Sequence, residues 1–157
     1  MIADIRIRSD GNSQFLCQLD LMKYSEEQVR DRMSEKGISD DTFFICGFTD
    51  WEIDNQMSLK EAYQLKRCIV EVYDGDEYLV IYQLKKGASL LQIFSNYYRF
   101  VSRDELVTMQ YLLRDVSVED IVKYFFATES WVNALNNYVL QGVLLNTPKG
   151  FYVSVTV

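Results

Sequence analysis

The chain has 157 residues, enough for one domain or a few small ones, with 48% hydrophobic and 14% aromatic content and a single proline. This composition excludes a disordered chain. Sixteen basic residues against 23 acidic ones leave a net charge of −7, with no histidine. The balance opposes a direct nucleic-acid interaction, and the missing imidazole removes the commonest general base and the commonest metal ligand.

No apolar run approaches the ~18 residues a membrane span needs, and Asp4, Arg6 and Arg8 break the start of the chain, so the expectation is a cytoplasmic protein with no membrane association. Cys17, Cys46 and Cys68 are far apart and set among apolar neighbours. They read as buried thiols of a reducing compartment rather than disulfides or zinc ligands.

Turn and capping signals give the elements in chain order. Residues 1–8 and 14–22 alternate apolar with polar side chains around the turn Ser9-Asp10-Gly11-Asn12-Ser13, a hairpin pattern. Ser25 with Gln28 forms a capping box ahead of a helix over 26–36, Tyr24 and Val29 can staple its entry, and Gly37 suits its stop. A third strand over 42–48 completes a β-β-α-β unit.

Ser58 with Glu61 opens a helix from Leu59, with Ala62, Leu65, Ile69 and Val72 at helical spacing. The stretch 68–86 supports two readings. Residues 68–73 and 77–84 around Asp74-Gly75 also fit a β-hairpin with a type I′ turn. Ser89 with Gln92 starts a short helix through Tyr98. Helices over 103–114, 118–127 and 131–140 follow, capped by Ser102 and Ser117 and stopped by Gly142, and a closing hairpin pairs 143–146 with 151–157. The fold class is therefore α+β, with units expected at 1–56, 57–101 and 102–157.

Most motifs have ordinary explanations. Asp74-Gly75-Asp76-Glu77 hints at a calcium loop, but Tyr78, Val80 and Lys85 stand where ligands belong. Residues 149–155 echo the aromatic strand of RNA-binding sheets without the second aromatic in register or a basic surface. With no base beside a nucleophile, no Gly-x-Ser-x-Gly elbow and no phosphate loop, the sequence predicts no catalytic residue, no metal site and no cofactor.

Charge by segment is more informative. Residues 1–39 hold seven acids and six bases, 40–77 ten acids and three bases, and 78–157 six acids and seven bases. Within the middle segment Asp40, Asp41, Asp50, Glu52 and Asp54 occur without an intervening lysine or arginine, followed by Glu71, Asp74, Asp76 and Glu77. If extended, Asp50, Glu52 and Asp54 project to one side about 6.6 Å apart. Their repulsion there is about 0.6 kcal/mol in water and about 2.5 kcal/mol at an effective dielectric of 20, so they require solvent. One reading is a solubilising face. The other is a negative field presented to a basic partner, with Trp51, Tyr73 and Tyr78 as interleaved aromatic anchors.

The order of these features resembles the ArdA-type antirestriction proteins of conjugative plasmids and transposons. The resemblance is carried by Ile5-Arg6-Ile7, the turn and the strand to Met22; the acid-flanked Phe43-Phe44-Ile45; Met57-Ser58-Leu59-Lys60-Glu61; and a tail containing Trp131, Leu135, Asn137-Tyr138 and Gly150-Phe151-Tyr152-Val153. It implies three small α/β units, a helical middle, and a homodimer formed through the C-terminal unit. It further implies a non-enzymatic DNA mimic that occupies the DNA-binding groove of type I restriction-modification enzymes or another DNA-binding protein. The typical family is acidic along its full length, whereas 78–157 here is near neutral. The mimic role is carried over only onto the acids of 40–77 named above. The rival expectation is a structural or regulatory interaction protein of a mobile element, with the same fold and a different partner.

Overall fold

In the computed structural model, which describes residues 1–155 apart from the side chain of Trp131, the alternating N-terminal pattern folds as expected. Strand β1 (Ile2–Ser9) pairs antiparallel with β2 (Asn12–Asp20), the two joined by Asp10-Gly11 with both φ positive. That is the type I′ geometry whose twist matches the strands. Helix α1 (Glu26–Glu35) follows, with the Ser25–Gln28 capping box formed in both directions. Strand β3 (Phe43–Phe48) pairs with β1, and a 3₁₀ turn (Thr49–Trp51) leads to β4 (Ile53–Met57), a strand the sequence reading did not include. The sheet order is β2-β1-β3-β4. One face carries the aligned row Ile5–Ile45–Met57, all buried.

Helix α2 (Leu59–Arg67) begins at the expected Ser58–Glu61 capping box, continues through a π-helical turn (Cys68–Val72), and is followed by α3 (Tyr78–Lys85) and α4 (Leu90–Ser95). The open choice for 68–86 is thereby resolved as helix. Asp74 and Gly75 do take positive φ, but they close a helix: the Gly75 amide donates to the Ile69 carbonyl and the Asp76 amide to that of Tyr73. The residues that favour a type I′ turn also favour a left-handed helix terminus, so the dipeptide alone does not discriminate.

The expected helix through Tyr98 instead ends at Ser95, and β5 (Tyr97–Ser102) begins. Its run Tyr-Tyr-Arg-Phe-Val is rich in β-formers, which outweigh continuation of a short helix. Helices α5 (Glu105–Leu113, capped by Asp104), α6 (Val118–Thr128) and α7 (Trp131–Leu140) lead to β6 (Leu144–Thr147) and β7 (Gly150–Val155). The second sheet has the order β5-β7-β6. Its core gathers Met109, Leu113, Ala134, Leu135, Leu144 and Phe151, with Ile121, Tyr124 and Phe125 packed against it from one face of α6. Thr156 and Val157, placed by the sequence in the last strand, lie outside the described residues.

The chain is α+β. It divides into two compact units, Met1–Phe94 and Ser95–Val157, so the boundaries expected at 57 and 102 do not coincide with this division. Residues 57–94 belong with the first unit, while β5 belongs with the second because it pairs with β7.

Candidate functional site

The nine acids carried over from residues 40–77 all lie in the first unit, on three local structures. Asp40 and Asp41 occupy the turn between α1 and β3. Arg30, one helical turn from Glu26 and bonded to it at 2.7 Å, also closes on Asp40. Asp40 is therefore neutralised locally, while Asp41 is exposed.

The second group departs from the extended spacing expected for Asp50, Glu52 and Asp54. Asp50 is in the 3₁₀ turn, Glu52 is left-handed (φ 54°), and only Asp54 is in a strand. They do not form a one-sided ladder. The Asp50 carboxylate accepts from the Ile2 amide at 2.7 Å and pairs with the Met1 amine at 2.6 Å. Glu52 is exposed, with Lys85 at 4.0 Å.

Trp51, expected as an interface ring, is only 2% exposed and packs on Phe48 with centroids 4.4 Å apart. The 3₁₀ turn rotates it inward, so it belongs to the core. Its Nε1 is buried with no hydrogen-bond partner among the described residues.

The third group borders the π-helical turn and the start of α3. Glu71, Asp74 and Asp76 are exposed and Glu77 is half-buried. The Asp76 carboxylate accepts from the Tyr78 amide at 2.9 Å, which fixes the entry to α3. Tyr73 and Tyr78 are half-buried, and Tyr78 stacks on Tyr82 at 6.3 Å. Among the described residues, Asp41, Asp54, Glu71, Asp74, Asp76 and Glu77 have no ion-pair partner.

Register adds one acid that the linear count missed. Asp4 stands opposite Gly47 on β3, and Gly47 opposite Asp54 on β4, so Asp4 and Asp54 share a row on the sheet face away from the buried row. Asp4 accepts from Thr49 Oγ1 at 2.7 Å and Gln18 Nε2 at 2.9 Å. The alternation Ile2-Asp4-Arg6 carried this signal, but the pairing partner of β1 is not readable from spacing. Gly47 is required between the two acids, because a β-carbon there would stand 2.2 Å from the Ile53 carbonyl oxygen.

The cysteines are free thiols. Burial raises the pKa of Cys17, Cys46 and Cys68, against the pull of Lys36 at Cys17 and of Arg6 at Cys46. Such thiols are largely protonated at neutral pH, so none is an activated catalytic nucleophile, although the half-buried Cys17 remains open to slow alkylation. Among the described residues no three of Cys, Asp and Glu converge to hold a metal ion, and no helix is long and apolar enough to cross a membrane.

Comparison with protein-family models, curated proteins and solved structures found no match.

Proposed function

We propose that the chain is a non-enzymatic, cytoplasmic inhibitor that presents phosphate-like charge to a DNA-binding enzyme. The type I restriction-modification class is the target suggested by the sequence resemblance. The observation that carries this reading is the set of carboxylates in 40–77 that face solvent without a cation: Asp41, Asp54, Glu71, Asp74 and Asp76. Folding gains nothing from carboxylates left without a cation, whereas a cationic groove built for a duplex gains attraction and faster encounter. The mechanism is competitive occlusion of the groove.

The test is inhibition of DNA binding by a purified type I enzyme as salt is varied. Attraction of this origin weakens as ionic strength rises and the screening length falls to ~8 Å at physiological salt. Replacing Asp54, Asp74 and Asp76 by asparagine should abolish inhibition while leaving the melting curve in place, because asparagine is isosteric and tolerates the left-handed backbone at position 74. Inhibition that survives these changes, or that ignores salt, overturns the reading.

A second reading, the interaction protein of a mobile element, is favoured by a different observation. On α6, Val118 (78% exposed), Val122 (48%) and Phe126 (85%) recur every fourth residue and form an apolar stripe. Leu140 on α7 is as exposed as Phe126. Apolar helix faces of this kind bury against a partner. In both readings we assign the stripe to a homodimer formed through the C-terminal unit.

A further inference from the structure

Strand β2 is the outermost strand of the first sheet, so its outer edge is paired with no other strand among the described residues. It contains no lysine, arginine or proline, residues that ordinarily blunt an edge; a bulge at Leu16 and the charge of Asp20 leave Cys17–Leu19 as its regular stretch. Beside this edge, on the helix-covered face, lies a cleft of about 360 Å³ between β2 and α1. Cys17 and Leu19 line it from the strand and Val29 and Met33 from the helix, with Arg32, Lys36 and Glu35 also bordering it.

The placement follows from periodicity. Cys17 and Leu19 are two residues apart in a strand and point the same way, about 6.6 Å apart. Val29, Arg32, Met33 and Lys36 recur at helical spacing along the face of α1 that looks onto them. Arg32 and Lys36 are one turn apart, about 6 Å along the axis, nearly the repeat of alternate residues in an extended chain. Arg32 is held over the Tyr24 ring at 4.5 Å, and neither Arg32 nor Lys36 has an ion-pair partner among the described residues. On a chain of net charge −7, two unpaired cations against the single acid Glu35 mark a locally basic rim.

We propose that this cleft is a docking site for an extended, acidic segment of a partner protein, which adds to β2 as a fifth strand. The open backbone edge supplies main-chain hydrogen bonds. The apolar floor takes two aliphatic side chains spaced two apart, and Arg32 and Lys36 take flanking carboxylates. Strand addition beside a helix provides affinity through the main chain and selectivity through alternate side chains. The site is separate from the acids of residues 40–77 and does not depend on their role.

The test begins with selection of phage-displayed random nonapeptides on the full chain. The expected consensus is two aliphatic residues two apart, flanked by Asp or Glu. A fluorescent peptide of that consensus should lose at least about tenfold in affinity when Arg32→Glu and Lys36→Glu are combined, both side chains being exposed. In a Cys46→Ser background the peptide should protect Cys17 from maleimide, and the maleimide adduct of Cys17 should in turn block the peptide. Selection that yields no binder, a consensus without this pattern, equal binding to the charge-reversed variant, or unprotected Cys17 each overturns the proposal. Concentration-dependent protection of Cys17 without peptide also overturns it, because the occupant is then a second copy of the chain.

Discussion

Gly47 passes so close to Ile53 that a β-carbon at position 47 would meet the Ile53 carbonyl oxygen at 2.2 Å. The contact is backbone against side chain, so no rotamer change relieves it. Gly47→Ala should cost about 3 kcal/mol of unfolding free energy in urea denaturation, the upper end for overpacking. Loss of the β3–β4 pairing should also displace the turn that carries Asp50 and Glu52.

Lys66 reaches from α2 to the segment before α1, donating to the carbonyls of Leu21 at 2.7 Å and Tyr24 at 3.2 Å. Hydrogen bonds from a charged donor rank among the stronger kind. Lys66→Met keeps the stem and removes the donors. It should lower stability by about 2 kcal/mol, measured against Lys60→Met, an exposed lysine, as the control.

Tyr63 donates its hydroxyl to the Tyr24 carbonyl at 2.8 Å, and burial, with Glu26 nearby, pushes its pKa up from 10.0 to about 12. The folded state therefore holds this proton more tightly than the unfolded one. The contribution is complete below pH 10 and is lost as pH rises from 10 through 12. Burial also raises the pKa of Tyr82, Tyr98 and Tyr138, so tyrosinate absorbance should show a late-titrating component that Tyr63→Phe reduces, and the alkaline unfolding midpoint of that variant should be less steeply dependent on pH.

Removing the capping box at Ser25 or at Ser58 should give a measurable loss. Ser58→Ala leaves the Glu61 amide without its acceptor at 3.2 Å, and Ser25→Ala does the same at Gln28. Each substitution should cost about 1 kcal/mol. Aspartate at either position should recover most of it, as read by thermal melting.

The apolar stripe of α6 gives a test of self-association. Phe126→Glu with Val118→Lys places two charges on exposed positions, where neither removes a buried contact. Sedimentation should report a shift from dimer to monomer with secondary structure unchanged. A wild-type chain that sediments as a monomer at high concentration removes the dimer from the proposed function.

What could be read from the sequence was what is local. The boxes at Ser25 and Ser58, the hairpin at Asp10-Gly11 and the helix over Trp131–Leu140 depend on residues within a few positions of one another. The rest depended on partners distant in the chain. Strand β5 required β7, some fifty residues later, to define it as a strand, and β4 required β3. The inward rotation of Trp51 follows from a 3₁₀ turn with a left-handed Glu52, a conformation that neither residue favours by composition. The same limit applied to the acids. Their identity and solvent exposure were legible in the charge count, but the neutralisation of Asp40 by Arg30 and the pairing of Asp4 with Asp54 across Gly47 were not.

The order β5-β7-β6 sets a schedule for biosynthesis. The middle strand of that sheet is the last to leave the ribosome, so β5 waits unpaired through the translation of three helices. The first unit, by contrast, can close its four strands once Met57 has cleared the exit tunnel, well before β7 is translated. Nascent chains arrested before residue 150 should therefore hold a folded N-terminal half and a C-terminal half that is sticky, protease-sensitive and dependent on chaperones.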